Sequence, residues 1–243
     1  MTDRHPTDAD LRGALVAANH ILVREGVLDA FGHVSARTAP DADTFLLSRN
    51  LAPGSVTPSD LLVHRLDGES DDPRRPYLER FIHAEIYRRR PDVMAVVHSH
   101  SPSVIPFGVS DTPLRPVVHM AGFLAAERTP VYEISEHAGD ASDLLITSPE
   151  LGASLATALG SGAVALMRGH GSVTAGASIM EVVYRAVYTE VNARIQLQAL
   201  TLGTPRYLSP GEAKAADQSV GAQARRAWDV WCRQVAQERN DTP

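Results

Sequence analysis

Val93-Met94-Ala95-Val96-Val97-His98-Ser99-His100 is the stretch on which the fold turns. Its apolar, β-branched run is short and unbroken, which predicts a strand buried on both faces. Just upstream, Phe81, Ile82, Glu85 and Ile86 fall at helical spacing within residues 79–90, and Pro91 disfavours continuing that helix. Downstream, residues 163–167 repeat the buried-strand pattern, and a helix over 150–159, stopped by Gly160, is expected between the two strands. Further out, a helix is expected over 11–23, capped by Asp8 or Asp10 and stopped by Gly26. Short runs at 33–36, 44–47 and 61–64, separated by Asp, Pro and Gly, read as strands with turns. Residues 178–202 form the longest periodic stretch, a helix of about six to seven turns. A last helix is expected beyond Ser209-Pro210-Gly211-Glu212, where Ser209 caps and Pro210 occupies the first turn. With no repeat or linker, this alternation predicts one α/β domain over 1–243.

Composition narrows the function classes. The 243 residues are 44% hydrophobic and 21% charged, the balance of a globular chain large enough to fold without a disulfide or metal staple. Lys plus Arg is 23 and Asp plus Glu is 29, a formal charge of −6 that gives no electrostatic reason to expect nucleic acid or an anionic membrane as partner. The single cysteine, Cys232, fits a reducing cytoplasm. The first residues lack the apolar core of a signal peptide, and no stretch of 18 apolar residues occurs, so neither secretion nor a membrane span is expected.

Chemistry gathers at the ends of the two buried strands. His98 and His100 are two positions apart, so on a strand they project to one side about 6.6–7 Å apart and can converge on one ion. His170 follows the second strand in Arg168-Gly169-His170-Gly171, where glycines permit a sharp turn and close approach. If those strands are neighbours in the sheet, the three imidazoles share one end. Three neutral imidazoles leave a dication its full charge and open coordination positions, the pattern of a catalytic site. A histidine that merely fills a turn remains the alternative for His170. Glu79 stands one helical turn before His83 and just ahead of the strand. It is either a metal ligand, a general acid or base, or an exposed helix cap.

These residues resemble a known family. Pro76-Tyr77-Leu78-Glu79-Arg80-Phe81-Ile82-His83-Ala84-Glu85-Ile86-Tyr87, then Arg90-Pro91-Asp92-Val93 and Ala95 to Pro102, look like the class II aldolase/adducin family. Gly32-His33-Val34-Ser35 and Gly169-His170-Gly171 occur in the expected order, and the resemblance covers about residues 11–208, leaving 209–243 as a helical extension. It implies a three-layer α/β/α sandwich around a largely antiparallel sheet, commonly a homotetramer with active sites between subunits. By the same resemblance His98, His100 and His170 match the metal-binding histidines, with one divalent ion per subunit: zinc or manganese first, cobalt or iron(II) next. Glu79 matches the acid/base residue that also reaches the metal.

The chain departs from the sugar-phosphate aldolases of that family. Where they carry paired serines near the substrate phosphate, this chain has Tyr77 and Leu78; where they carry an asparagine, it has His33. A phosphorylated sugar is therefore disfavoured. The altered pattern, with Val117-Val118-His119-Met120-Ala121-Gly122-Phe123, resembles the branch that decarboxylates hydroxylated aromatic acids. The expected activity is non-oxidative decarboxylation of a hydroxylated aromatic or related cyclic acid. Glu79, His33 or His119 would protonate the ring carbon. Arg49 or Arg115 would hold a carboxylate bidentately, and Ser48, Ser35 and Tyr77 would bind substrate. His119 is alternatively a core histidine, both arginines are alternatively surface residues, and Tyr184 with Tyr188 read first as packing. Two other readings stay open: an aldolase acting on an unphosphorylated hydroxy-carbonyl compound, and an adducin-like binding module without chemistry.

Overall fold

The computed structural model describes residues 7–241. Its strands are β1 (His33–Arg37), β2 (Thr44–Ser48), β3 (Leu61–Arg65), β4 (Ala95–Ser99), β5 (Val131–Tyr132), β6 (Val164–Met167) and β7 (Gly171–Gly176). Its α-helices are α1 (Asp8–Arg24), α2 (Arg80–Arg89), α3 (Ile105–Gly108), α4 (Ser135–Ala138), α5 (Pro149–Leu159), α6 (Ile179–Leu202), α7 (Pro210–Gly221) and α8 (Ala224–Asp241). The seven strands form one sheet in the order β3-β2-β1-β4-β7-β6-β5. Every pairing is antiparallel except β5 with β6.

Side-chain alternation along the strands builds three layers. Val34, Ala36, Leu46, Ala95 and Val97 face α1, α6 and α8 in one core cluster. Phe45, Leu47, Val96, Ala165, Met167, Val173 and Ala175 face α2 and α5 in another. A third cluster joins α3, Leu114, Val164, Leu166 and α6 residue Ala193. The expected α/β/α sandwich with a largely antiparallel sheet is therefore what forms. Alternation also places His33, Ser35 and His98, each one position from an α6-facing residue, toward the α2 layer.

Several expectations need correction. Neither Asp8 nor Asp10 caps α1. Thr7 does, its hydroxyl accepting from the Asp10 N–H at 3.2 Å while the Asp10 carboxylate accepts from the Thr7 N–H at 3.0 Å. The single C-terminal helix is two, and Trp231 and Val235 of the second pack into the α1–α6 cluster. The two buried strands are not neighbours, because β7 lies between β4 and β6. Two antiparallel steps make β4 and β6 parallel, so their C-terminal ends still fall at the same edge. Among the described residues, no helix is long and apolar enough to cross a membrane.

Candidate metal centre

At that edge one nitrogen each from His98, His100 and His170 and one carboxylate oxygen of Glu79 lie within 4.8 Å of one another. His98 sits in β4 and His100 just past it. His170 occupies the hairpin between β6 and β7, where Gly169 takes a positive φ of 67° that lets the chain reverse in three residues. Gly171 has to be glycine for a different reason: a Cβ there would stand 2.0 Å from the Ser99 carbonyl oxygen. Glu79 is the residue from which α2 starts, yet its side chain makes no cap hydrogen bond. The carboxylate instead accepts from the Ile146 N–H at 3.0 Å and turns its other oxygen to His98 Nε2 at 3.4 Å and His170 Nε2 at 3.6 Å. The exposed-cap alternative fails, since Glu79 is buried.

Backbone carbonyls fix which ring nitrogens carry protons. His98 Nδ1 is 3.1 Å from the Ser172 carbonyl and His170 Nδ1 is 2.8 Å from that of Leu144. A carbonyl only accepts, so both Nδ1 atoms are N–H donors and both Nε2 atoms present lone pairs. His100 Nε2 lies 3.1 Å from His98 Nε2 and 3.0 Å from His170 Nε2. Burial lowers His170, and burial with the neighbouring His98 and His170 brings His100 down to about 4, so both are neutral near pH 7. His100 therefore has one proton to offer at most one neighbour, and another close nitrogen pair meets lone pair to lone pair. A cation relieves that. Ligands about 2.0–2.1 Å from one ion at tetrahedral angles stand roughly 3.3–3.4 Å apart, which four of the six pairs among these atoms match at 3.0 to 3.6 Å, the whole set lying within 4.8 Å. For Glu79, burial pushes the carboxyl up and positive charge facing it brings it down; with the rings themselves neutral, a cation held among them would supply that charge.

His33 joins this site and brings Tyr77 and Ser48 with it. It pairs with His98 across β1 and β4, the two rings 5.0 Å apart, and its other flank meets the Tyr77 ring at 4.5 Å. Tyr77 donates its hydroxyl to the Leu51 carbonyl, and Ser48 donates to Tyr77 Oη at 3.4 Å, so the pair fills the floor beside His33. The other expected residues are engaged elsewhere. Arg49 pairs with Asp60 at 2.7 Å. Arg115 donates to the Ala126 carbonyl at 2.7 Å and lies 4.1 Å over the Tyr207 ring. His119 is exposed, not a core residue, and lines a separate cavity of about 440 Å³ with Tyr184, Tyr188 and Trp231. Tyr184 and Tyr188 pack at 4.7 Å, and the Tyr184 hydroxyl, which burial pushes up to about 12, donates to the Met120 carbonyl at 2.9 Å.

What sequence reasoning missed lies beneath His33. His33 Nδ1 is 2.6 Å from His83 Nε2, His83 Nδ1 is 2.6 Å from Ser35 Oγ, and Ser35 Oγ is 2.7 Å from the Tyr87 hydroxyl. All four are buried, and burial above all holds both imidazoles well below their ordinary value, hence neutral. The i, i+4 spacing of His83 and Tyr87 with the i, i+2 spacing of His33 and Ser35 was the available signal: one helix turn facing one strand face.

Comparison with known proteins fits this picture. Decarboxylase tropJ of Talaromyces stipitatus is 39% identical over 90% of this chain and 92% of its own. A 3,4-dihydroxyphthalate decarboxylase of Rhodococcus jostii is 30% identical over 81% of this chain and 84% of its own. Among solved structures, an L-fuculose 1-phosphate aldolase from Glaciozyma antarctica superposes with a TM-score of 0.79 at 22% identity, covering 99% of this chain and 96% of that one, a likeness of fold. The family described as Class II Aldolase and Adducin N-terminal domain matches residues 13–197, and the chain belongs to that family.

Proposed function

We propose that this protein is a divalent-metal-dependent carbon–carbon lyase that decarboxylates a hydroxylated aromatic, or related cyclic, acid without oxidation. One observation carries it: three imidazole nitrogens and the Glu79 carboxylate converge within 4.8 Å, in a chain whose long-range relatives are named decarboxylases. His98, His100 and His170, with Glu79, would hold the ion, a donor set that suits zinc, manganese, cobalt or iron(II). When bound, the ion supplies positive charge for the oxygen that takes up the electrons of the breaking bond. Glu79, ionised beside that positive charge, would accept the proton of the substrate's ring hydroxyl. It returns that proton to the ring carbon as carbon dioxide leaves, which balances charge and restores aromaticity. His33 faces the same space and binds substrate oxygen. Tyr77 and Leu78, where sugar-phosphate aldolases have serines, support an unphosphorylated substrate.

The working assembly in this reading is a homotetramer. Phe31, 67% exposed and 6.4 Å from the His100 ring, and Leu78, 48% exposed beside Glu79, give the mouth of the site apolar walls suited to a ring or a neighbouring subunit. Metal-loaded protein incubated with a panel of hydroxylated aromatic acids should release carbon dioxide without consuming oxygen, and should run as four chains by light scattering. Aldehyde release from hydroxy-carbonyl compounds, with no carbon dioxide from any acid, would replace decarboxylation by aldol cleavage.

A further inference from the structure

We infer that Tyr87, Ser35 and His83 are positioning residues that lock His33 in the tautomer protonated at Nε2, so that His33 offers an N–H donor, and not a lone pair, to the substrate. The inference follows from counting hydrogens along a buried chain. The Tyr87 hydroxyl is sealed in the α2 layer, and Ser35 Oγ at 2.7 Å is its acceptor. Ser35 is itself fully buried, so its own hydrogen goes to its other neighbour, His83 Nδ1 at 2.6 Å. His83 then keeps its single proton on Nε2 and donates it to His33 Nδ1 at 2.6 Å. His33 is left with its proton on Nε2.

The opposite order fails at the buried end. Were His33 to donate from Nδ1, His83 would donate onward to Ser35, and Ser35 to Tyr87. The phenol hydrogen would then have no acceptor in the chain, and a sealed donor left unpaired forfeits its full desolvation free energy. The other end is open. Among the described residues the sealed, unpartnered side-chain atoms are Asn19 Oδ1, His64 Nε2 and Gln234 Oε1; His33 Nε2 is not one of them, although no hydrogen bond holds it. It therefore reaches accessible space beside the His98 ring.

Adjacent imidazoles thus carry opposite tautomers for opposite jobs. His98 and His170 are protonated at Nδ1 and turn lone pairs to the ion site, while His33 is protonated at Nε2 and cannot ligate. A donor there suits the carboxylate or ring oxygen of a hydroxy acid, so the contact to substrate rests on the function proposed above, whereas the tautomer does not.

Nitrogen-15 NMR of the zinc-loaded protein, labelled at histidine, tests this directly. Ring two-bond couplings distinguish the tautomers, and the His33 signal is identified by its loss in His33→Asn. The Nε2-protonated pattern is expected in the native protein. The Nδ1-protonated pattern, or an even mixture, would overturn the inference whatever the substrate proves to be. Tyr87→Phe removes the hydrogen that sets the direction without opening a cavity. It should convert His33 to a mixture of tautomers, keep the metal content unchanged, and lower kcat/KM about tenfold, the scale of one hydrogen bond. A variant with unchanged tautomer would show that the chain does not set it. Absence of carbon dioxide release from the native enzyme, with the expected tautomer present, would overturn the functional reading alone.

Discussion

In the proposed reading single residues divide the labour of the site, and their replacements separate holding an ion from moving a proton. His98→Ala or His170→Ala leaves the donor set one imidazole short. Either variant should purify without metal and without turnover, as elemental analysis beside an activity assay would show. Full activity after metal removal and repletion would place the ion elsewhere. Glu79→Gln keeps an oxygen toward His98 and loses the ionised carboxylate. It should retain metal but lose a factor of about 10² or more in kcat, the usual size of a proton-transfer contribution. The three histidines were legible in the sequence because a strand's two-residue period and a glycine-flanked turn are local signals. The burial of Glu79 was not: it depends on Ile146, whose N–H reaches across from a loop 67 positions away. The His33–His83 contact, 50 positions apart, depends likewise on how α2 settles on β1, which periodicity does not encode.

At the scale of elements, glycines mark where two backbones must nearly touch, and they explain the one central strand that escaped notice. The β7 sequence Gly171-Ser172-Val173-Thr174-Ala175-Gly176 holds a single large apolar side chain and a glycine at each end, a composition that strand propensity disfavours. It is central because its slimness lets β4 and the His170 hairpin close together. Gly171→Ala would drive a methyl into the Ser99 carbonyl, backbone against backbone, with no flexible side chain to give way. A loss of roughly 1–3 kcal/mol or more is expected, with weakened metal retention, because Ser99 lies between His98 and His100. Gly13 in α1 is the control. It is exposed, its Cβ would meet nothing within 4 Å, and Gly13→Ala should stabilise by about 0.5–1 kcal/mol. Chemical denaturation of both variants reads the contrast. Equal effects would mean that Gly171 is not the point of closest approach. By contrast β1, β2, β3 and α6 were legible nearly to the residue, since each carries its own periodicity between strong turn residues.

For the whole molecule, the buried imidazoles tie folding to pH. Burial is the leading cause that lowers His33 and His83 well below the ordinary value and lowers His64 as well. In the unfolded chain these rings take up protons as pH falls through about 6.5, while in the folded protein they do not. Protons are then bound more by the unfolded state, so the stability they contribute is present in full above pH 6.5 and drains away below it. Each ring costs up to about 1.4 kcal/mol per pH unit until its folded value is reached. The carboxyls of Asp72 and Glu133 are held at about 2, first by Arg74 and Arg168 respectively, so their share is lost only below about pH 4. The urea midpoint, measured with a chelator present so that metal release does not contribute, should stay level from pH 8 to 7 and fall steadily from 6.5 to 5. In Tyr87→Phe the fall should persist, because that variant disturbs the order of hydrogens along the chain and leaves both rings buried. A midpoint that holds level down to pH 5 would mean that the folded protein binds these protons as readily as the unfolded chain. The buried His33 and His83 would then take up protons below about pH 6.5 as rings in water do, and the fixed order of hydrogens along their chain would be lost there.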